Sequence, residues 1–388
     1  MIAYYAQRGE ATPSPATGAY CKARQRLPEK LFSHLVTHTG SALEAIATPG
    51  ELWCALRVRI VDGTGISMPD TPANQQAYPQ PSSQASGCGF PVLRLVVLFS
   101  LITGALLAHA IGPLADSEMA LFRKLLAELR RGELALGDRY YGNFWVLALL
   151  QPRGVEALLR VAASRHTDFR RGRRLGKNDH LIVWKKPKQC PDYMSEAEYT
   201  AAPAELLLRE VRGQLTVPGF RSRPVVLVTT LLDPQCYPRQ ALLELYGRRW
   251  QCELRLRDLK IALKMDVLRT QTPGMVRKEL LAHLLAYNLI RRLMWDAGVR
   301  AKCPPLRLSF KGATQHIRAF APLLAAAKPA LRQGLYTLLL QTIGRELVPE
   351  RPGRIDPRLK KRRPKSYGWL QKPRAVYHRL IRLGRKLK

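Results

Sequence analysis

The sequence lacks several features that would narrow its function early. Its seven cysteines are odd in number and include no Cys-x-x-Cys pair, which argues against a disulfide framework or a cysteine-bound structural zinc and favours a reducing compartment. The N-terminus, "MIAYYAQRGE", has no basic region leading into an apolar run, so no secretory signal is predicted. We therefore expect an intracellular, cytoplasmic protein.

Acidic residues are scarce. The chain has 29 Asp and Glu against 63 Lys and Arg, a formal net charge of +34. A field of this sign attracts polyanions such as nucleic acid or an anionic membrane, and it makes small-molecule metabolism a poor interpretation. With 388 residues and 46% hydrophobic composition, the chain is long enough to bury a sizeable core as one large domain with appendages.

One stretch has no charge at all. "LVVLFSLITGALLAHAIGPLA", residues 95–115, contains no Asp, Glu, Lys or Arg and is long enough to span a bilayer. Its Val and Ile enrichment, with Thr103-Gly104 between two strand-length halves, instead favours two paired strands of a buried sheet. No membrane partner is predicted.

Strands alternate with helices along the chain, and acidic residues follow some of the strands. This order predicts an α/β sheet with a site at the strand edge. We expect five segments. The first, 1–52, is a short helical DNA-binding region with an N-cap-like Ser14-Pro15 and a basic amphipathic run, for which a scaffold helix is the alternative. The others are a first core part, 53–152; a β-rich basic insertion, 153–223; a second core part, 224–300; and a C-terminal helical and basic region, 301–388.

The stretch "YGRRWQCELRLRDLK", residues 246–260, carries a lone glutamate among arginines in a predicted helix. At about 100° per residue, Tyr246, Arg249, Glu253 and Lys260 fall within an arc of roughly 60°, framed by apolar rows. A carboxylate there loses hydration that only a partner, a proton or a metal replaces. The alternative is a simple Arg249–Glu253 pair, worth about a few tenths of a kcal/mol, and the helix by itself does not decide between them.

Two aspartates are candidates to bind a metal together with Glu253. Asp62 and Asp138 each stand where a predicted core strand runs into a turn, a place where a single aspartate is typically a turn former or helix cap. Three carboxylates converging on one cleft would repel each other unless a cation lay between them. Mg²⁺ fits, because it is a hard ion that bridges carboxylates to phosphates. Two such ions about 3.5–4 Å apart activate the attacking oxygen and stabilise the leaving oxygen at a phosphodiester.

Tyr246, Arg249, Glu253 and Lys260, which we call the polar stripe, match the spacing Y-x(2)-R-x(3)-E-x(6)-K. On these residues the sequence resembles the bacterial insertion-sequence DDE transposases of the cut-and-paste group. The resemblance covers most of the chain from Ser14 onward. It extends to "VDGTGISMPDTPANQQAYPQP", "GDRYYGNFWVLALLQPRGVEALLRV", "KMDVLRTQTPGMVRKELLAHLLAYNLIRRLM" and "RIDPRLKKRRPKSYGWLQKPR".

This resemblance implies a ribonuclease-H-like mixed sheet flanked by helices. A β-rich insertion would lie between the second aspartate and the glutamate, with a short helical N-terminal region and a basic C-terminal tail. It also implies that Asp62, Asp138 and Glu253 form the catalytic triad and bind two Mg²⁺ ions, with Mn²⁺ as a substitute. By the same resemblance, three further residues would hold DNA phosphates at the cleaved end: Tyr246, Arg249 and Lys260.

The implied reaction is hydrolytic nicking at the ends of the element, followed by attack of the freed 3′-hydroxyl on target DNA. The implied partners are the terminal inverted repeats, target DNA and a second copy of the chain in the DNA complex. No small-molecule cofactor is expected, and the protein would associate with the bacterial nucleoid. Related cut-and-paste enzymes pass through a hairpin and flip a base onto a tryptophan of the insertion, which here would be Trp184; the alternative is a packed strand aromatic.

Only 61 residues precede Asp62, whereas relatives often carry a longer helical region there. We therefore expect a shortened N-terminus, which would affect recognition of the inverted repeats but not the triad. A plain nuclease or an inactive element remnant that retains the triad is an alternative interpretation. A nonenzymatic basic nucleic-acid-binding protein, whose carboxylates are only salt-bridge partners, is another.

Overall fold

The computed structural model describes residues 9, 17–215, 223–350 and 368–384. The predicted cap at Ser14-Pro15 and most of the basic tail lie outside these residues. The strands are β1 (Arg57–Ser67), β2 (Val92–Ser100), β3 (Leu106–Pro113), β4 (Glu133–Gly137), β5 (Glu156–Arg160), β6 (Arg173–Gly176), β7 (Asp179–Lys185), β8 (Glu205–Leu215) and β9 (Arg223–Thr229). The α-helices are α1 (Gly18–Arg26), α2 (Glu29–Glu44), α3 (Pro72–Ala77), α4 (Glu118–Leu125), α5 (Phe144–Leu150), α6 (Glu196–Ala201), α7 (Arg239–Gly247), α8 (Trp250–Arg257), α9 (Pro273–Arg300), α10 (Phe310–Ala326), α11 (Pro329–Gly344) and α12 (Arg374–Arg382).

All nine strands of the described residues join one mixed sheet in the order β3-β2-β1-β4-β5-β9-β8-β7-β6. Strands β1, β4 and β5 run parallel, whereas the pairs β1–β2 and β2–β3 are antiparallel, as are all the pairs from β5 through β9, β8 and β7 to β6. The α/β class and the mixed sheet flanked by helices are therefore confirmed. The uncharged run 95–115 forms the predicted strand pair β2–β3, and among the described residues we find no helix with the length and hydropathy needed to cross a bilayer.

The core lies on both faces of the sheet because the central strands are covered on both sides. Ile60 and Val61, neighbours on β1, are both buried and belong to opposite cores, as the two-residue period of a strand requires. One face packs against α2 and α7 to α11, and the other against α4 and α5. Burial on both sides explains why β2 is almost continuously apolar rather than alternating.

The predicted insertion is rich in β-structure, and its strands extend the core sheet. Strands β6, β7 and β8 continue beyond β9 in the same hydrogen-bonded order. Strand β5 lies within the predicted insertion segment, but it pairs in parallel with β4 through Leu136 and Leu158. The boundaries of the five predicted segments remain predictions.

Candidate active site

Asp62 and Asp138 belong to neighbouring parallel strands, Asp62 within β1 and Asp138 directly after β4. The register pairs Ile60 of β1 with Leu136 of β4, so each aspartate stands two residues beyond that pair and on its face of the sheet. Asp138 follows the last residue of β4, as predicted. Asp62 lies within β1 rather than at its end, because pairing with β2 continues from Asp62 to Ser67.

The same strand register places a basic residue, Arg160, level with Asp62 and Asp138. Leu136 also pairs with Leu158 of β5, so Arg160 stands beside Asp138 as Asp138 stands beside Asp62. The sequence analysis missed Arg160. A basic residue closing the apolar run "VEALLR" was the available signal, but the strand register that aligns it with the aspartates is not readable from the sequence.

The segment that carries Glu253 is not one continuous helix, contrary to the prediction. Helix α7 ends at Gly247 and α8 begins at Trp250, and the junction is overwound by bonds to the third preceding residue, from Arg249 N to Tyr246 O (3.0 Å) and from Cys252 N to Arg249 O (2.9 Å). A π-helical turn, Asp258–Ala262, follows α8. Tight and wide turns of this kind shift residues around a helix axis, so the uniform 100° step fails beyond one or two turns.

Arg249 joins the helix to the strand. Its Nη2 lies 2.9 Å from Glu253 Oε1 and its Nη1 lies 3.8 Å from Asp62 Oδ2. One guanidinium, with a side chain only 17% exposed, therefore contacts a carboxylate from each element. The predicted Arg249–Glu253 pair exists, and it extends to Asp62.

Tyr246 and Lys260 have different surroundings. Burial raises the pKa of Tyr246 to about 12, with Arg249 opposing the rise and Asp138 adding to it, which places this phenol between the helix and the strand ends. Lys260 lies in the π-helical turn, where burial lowers its pKa and Asp266 opposes that effect. The fold thus gathers Tyr246 and Arg249 around the carboxylates, and Lys260 lies beside another acid.

The surroundings of Asp62 disfavour its charged form. Burial raises its pKa from 3.8 to about 6, against the opposing effects of Arg249 and of the Gly63 N–H, and the charges of Asp138 and Glu118 raise it further. The Gly63 nitrogen donates to Asp62 Oδ1 at 2.9 Å. The pKa of Asp62 is raised although an arginine and a backbone N–H favour the charged form, so the surroundings of Asp62 hold too little positive charge to offset its burial.

Replacing Asp62 by Asn is expected to stabilise the metal-free protein at pH 8 by about 1–3 kcal/mol, because two pKa units correspond to nearly 3 kcal/mol. The folded chain takes up the Asp62 proton near pH 6 and the unfolded chain near 3.8, so ionisation destabilises the fold above pH 6. The gain should shrink as the pH falls through 6 and be mostly gone at pH 4. Urea unfolding at both pH values measures it, with Asp296→Asn as control; an Asp62→Asn protein less stable than wild type at pH 8 would contradict the shift.

The donor chemistry of the site fits a hard divalent cation. The side chains offer carboxylate oxygens, the ligands such ions prefer, and Asp62 needs a positive neighbour. Across residues 17–215, 223–350 and 368–384, however, no three His, Cys, Asp or Glu side chains are close enough to share a metal in this conformation. Arg249 stands between Asp62 and Glu253, so a shared metal requires Glu253 to leave Arg249.

The helix that carries Glu253 is anchored on the sheet by a buried arginine. Arg255 is 2% exposed, and its Nη1 and Nη2 donate to the carbonyls of Ser100 (2.6 Å) and Leu101 (3.1 Å), at the end of β2. A buried guanidinium with such partners resists displacement. Arg255 therefore fixes α8 on the sheet two residues after Glu253.

Trp184 lies away from these carboxylates, in β7. It is fully buried, its indole N–H donates to Glu210 Oε1 at 2.8 Å, and the Arg165 guanidinium covers its ring at 3.7 Å from the centroid. This is the packing expected of a strand aromatic. The base-stacking role stays a prediction, and it requires Arg165 to move off the ring.

Comparison with known proteins places the chain in a family. The family model described as "Transposase DDE domain" matches residues 53–289, a span that includes Asp62, Asp138 and Glu253. The transposase InsG of insertion sequence element IS4, from Escherichia coli K12, is 28% identical over 358 residues, covering 92% of this chain and 78% of InsG. The putative transposase InsZ of the same organism is 26% identical over 212 residues, covering 54% of this chain and 63% of InsZ.

Among solved structures, a cryo-EM structure of a piggyBac transposase synaptic complex with hairpin DNA matches 76% of this chain and 58% of that chain, at 10% identity and a TM-score of 0.39. That likeness is too distant to support an argument. The family model, by contrast, spans more than half of the sequence and covers the first part of the predicted core and most of the second. The chain therefore belongs to the transposase DDE domain family.

Proposed function

We propose that this DNA transposase cleaves the ends of an insertion sequence and joins the freed 3′-hydroxyl to target DNA, using Asp62, Asp138 and Glu253 as its catalytic carboxylates. One observation carries the assignment. A single guanidinium, that of Arg249, contacts both Asp62 and Glu253, and Asp138 stands beside Asp62 on the neighbouring strand. Residues far apart in sequence are thereby brought to one strand edge.

The transposase family generally uses divalent metal ions, and we assign Mg²⁺ to these three carboxylates, with Mn²⁺ as a substitute. When bound there, two such ions would supply activation of the attacking oxygen and stabilisation of the leaving oxygen. The protein supplies oxygen donors of the right hardness. The raised pKa of Asp62 supports the assignment, because a cation would favour its charged form.

Arg249 is proposed to hold the site closed until DNA arrives. Arginine binds phosphate with two parallel hydrogen bonds, as it binds carboxylate. A phosphate of the element's end would compete with Glu253 for the guanidinium and release the glutamate toward Asp62 and Asp138. The present contact with Glu253, at 2.9 Å, is then the DNA-free state of the same arginine.

Further phosphate contacts are proposed for Tyr246, Lys260 and Arg160. The pKa of Tyr246, raised to about 12, keeps its hydroxyl protonated and able to donate. Arg160 is level with Asp138 across the parallel strands, so it would balance the carboxylates beside a bound phosphate. Lys260 lies about two turns after Glu253, and a phosphate would favour the charged form of Lys260 that burial disfavours.

The partners follow from the family and from charge. A net charge of +34 supports extensive contact with the DNA backbone. We further propose that two copies act together on the element's ends, that Trp184 receives a flipped base in a hairpin route after Arg165 moves aside, and that the protein acts at the nucleoid. These proposals rest on the resemblance to cut-and-paste transposases.

The test is a cleavage and joining assay. The DNA flanking the gene would supply the inverted repeats, and a labelled duplex ending in them would be incubated with the full chain, Mg²⁺ and a supercoiled target. We expect cleavage at the element's end and a joined product, both lost with EDTA or with a scrambled end. Cleavage without joining would indicate a nuclease, and binding without cleavage would indicate a nonenzymatic DNA-binding protein.

A further inference from the structure

A loop beyond the C-terminal end of β1 carries an exposed aromatic ring. Ser67, the last residue of β1, pairs with Val92, the first residue of β2, and Phe90 stands two residues before Val92. Asp62 lies five residues before Ser67, so at about 3.3 Å per residue Phe90 is roughly 20 Å from Asp62 along the strand direction. The Phe90 side chain is 62% exposed. A large apolar ring therefore faces solvent at the end of the sheet where Asp138 follows β4.

The loop that carries Phe90, residues 79–91, is braced by two glutamine side chains. The Gln80 amide makes hydrogen bonds of 2.9–3.1 Å to four backbone groups of the loop, those of Gln84, Ala85, Gly87 and Gly89. The Gln75 amide donates to the Gly89 carbonyl at 3.0 Å and accepts from the Gln80 nitrogen at 3.0 Å. The braced loop thus holds Phe90 in an exposed position, where its ring gains nothing from burial in the folded chain.

The braced loop packs against a basic segment of the chain. A Cβ built on Gly87 would lie 3.1 Å from Cγ of Pro373, the residue directly before α12. Residues 368–384 contain no Asp or Glu. Their four Lys and Arg side chains are all exposed: Lys372, Arg374, Arg379 and Arg382. An exposed ring and a group of cations match the two parts of DNA that a protein contacts without reading sequence, the base faces and the phosphates.

We propose that residues 79–91 and α12 form a DNA-binding surface on which Phe90 inserts between base pairs of the element's end. The inference rests on the proposed function and deepens it. A duplex that runs along the strand direction from the carboxylates reaches the level of Phe90 after about six base pairs, at 3.4 Å each. Phenylalanine is one of the apolar side chains that insert between base steps and kink a duplex. A braced loop lowers the entropy lost on binding.

Charge favours DNA over a second copy of the chain as the occupant of this surface. Single exposed apolar residues are common on proteins, and a contact between two copies would also cover Phe90. A two-fold contact, however, places the same patch of both copies together, so the cations of residues 368–384 would repel their equivalents. The phosphates of DNA neutralise the same cations. The ring and the basic segment therefore fit one occupant, the DNA duplex.

The experiment measures binding and base unstacking with the full-length protein in EDTA, which prevents cleavage. Duplexes ending in the inverted repeat carry a single 2-aminopurine, an adenine analogue that fluoresces more strongly when unstacked, at successive positions about three to nine base pairs from the cleaved phosphate. We expect the wild-type protein to raise the fluorescence of the probe about six base pairs away. Phe90→Ala should abolish that rise and weaken binding about tenfold, as loss of one stacked base does. Phe90→Tyr should keep both.

The chain offers a matched control and a second variant. Leu331 on α11 is 63% exposed, close to the value for Phe90, so Leu331→Ala removes an equally exposed apolar side chain and should bind and unstack as wild type. Gln80→Ala keeps Phe90 and every charge but removes the bracing of the loop, so it should reduce both the fluorescence rise and the affinity. Melting curves report whether each variant folds, and Gln80→Ala tests the inference if Phe90→Ala does not.

Cleavage by the wild-type protein with Mg²⁺ separates the two possible failures. If wild type cleaves the end but Phe90→Ala binds and unstacks it equally well, the inference is wrong while the proposed function stands. The inference is also wrong if Phe90→Ala alters only joining to target DNA, or only self-association of the DNA-free protein in sedimentation. If wild type neither binds nor cleaves the end, the proposed function is wrong and the inference with it. Loss of signal and affinity in Phe90→Ala, with Leu331→Ala unchanged, supports the inference.

Discussion

Replacing Asp138 by Asn is expected to slow Mg²⁺-dependent cleavage of the element's end on the order of 10³-fold or more, a loss typical of removing one member of a catalytic group that acts as a unit. The amide keeps the size of the side chain and an oxygen to accept the Tyr140 N–H, now 2.8 Å from Asp138 Oδ1. It removes the charge that holds a cation. Affinity for end DNA should stay the same or rise, because one repulsive charge near the phosphate is lost.

Glu253→Gln should give the same loss of cleavage with binding retained, and combining it with Asp138→Asn should add little, because members of one catalytic unit are not additive. Asp296→Asn is the matched control, since Asp296 pairs with Arg292 on α9 at 3.1 Å, away from the strand edge. Cleavage by gel assay and binding by mobility shift measure the two effects separately. Cleavage at the wild-type rate by Asp138→Asn would remove the triad assignment.

Raising the salt concentration from 50 to 200 mM is expected to weaken binding of end DNA by roughly 10³-fold or more, because a protein that contacts six to ten phosphates releases as many counterions. The charge of +34 is ample for that number of contacts. Arg249→Ala should weaken binding and lower the slope of log affinity against log salt by about 1, as loss of one phosphate contact does. Lys260→Ala should do the same.

Arg131→Ala is the matched control for these two changes. Arg131 is exposed and precedes β4, whereas Asp138 follows it, so the two residues lie at opposite ends of the strand. Its removal changes net charge by the same amount but should leave the slope of specific end binding near the wild-type value. Fluorescence anisotropy at five or more salt concentrations gives the slopes, and an unchanged slope in Arg249→Ala would exclude Arg249 from the phosphate contacts.

The local features of the chain were predictable because they depend on neighbouring residues. The uncharged stretch 95–115 forms the predicted strand pair, since its β-branched residues and central Thr103-Gly104 act through local propensity and turn geometry. Arg249 and Glu253, four residues apart, form the predicted pair. The predicted positions around the helix axis were less accurate for residues farther apart, because the overwound junction before Trp250 and the π-helical turn depart from regular helix geometry.

The neighbours of the carboxylates were not predictable in the same way. Arg160 became part of the site only through the register of three parallel strands, and Glu118 only because α4 packs beside Gly63. Arg255, read from the helix alone, points away from the polar stripe, whereas in the fold it is buried and binds the carbonyls that end β2. Register and helix docking depend on contacts between distant segments, which a local pattern does not contain.

The amino-acid sequence by itself determined which residue types are present and in what order: a strongly basic chain, alternating strands and helices, two aspartates on or next to strands, and one glutamate in an arginine-rich helical segment. Periodicity, charge and turn chemistry are properties of short segments, so they can be recognised from the sequence alone. The tertiary structure alone decided that Arg249 contacts both Asp62 and Glu253, that Asp138 stands level with Asp62, and that Glu118 fills the space at Gly63. These contacts arise from packing that many distant residues share, and their free energy belongs to the folded chain as a whole.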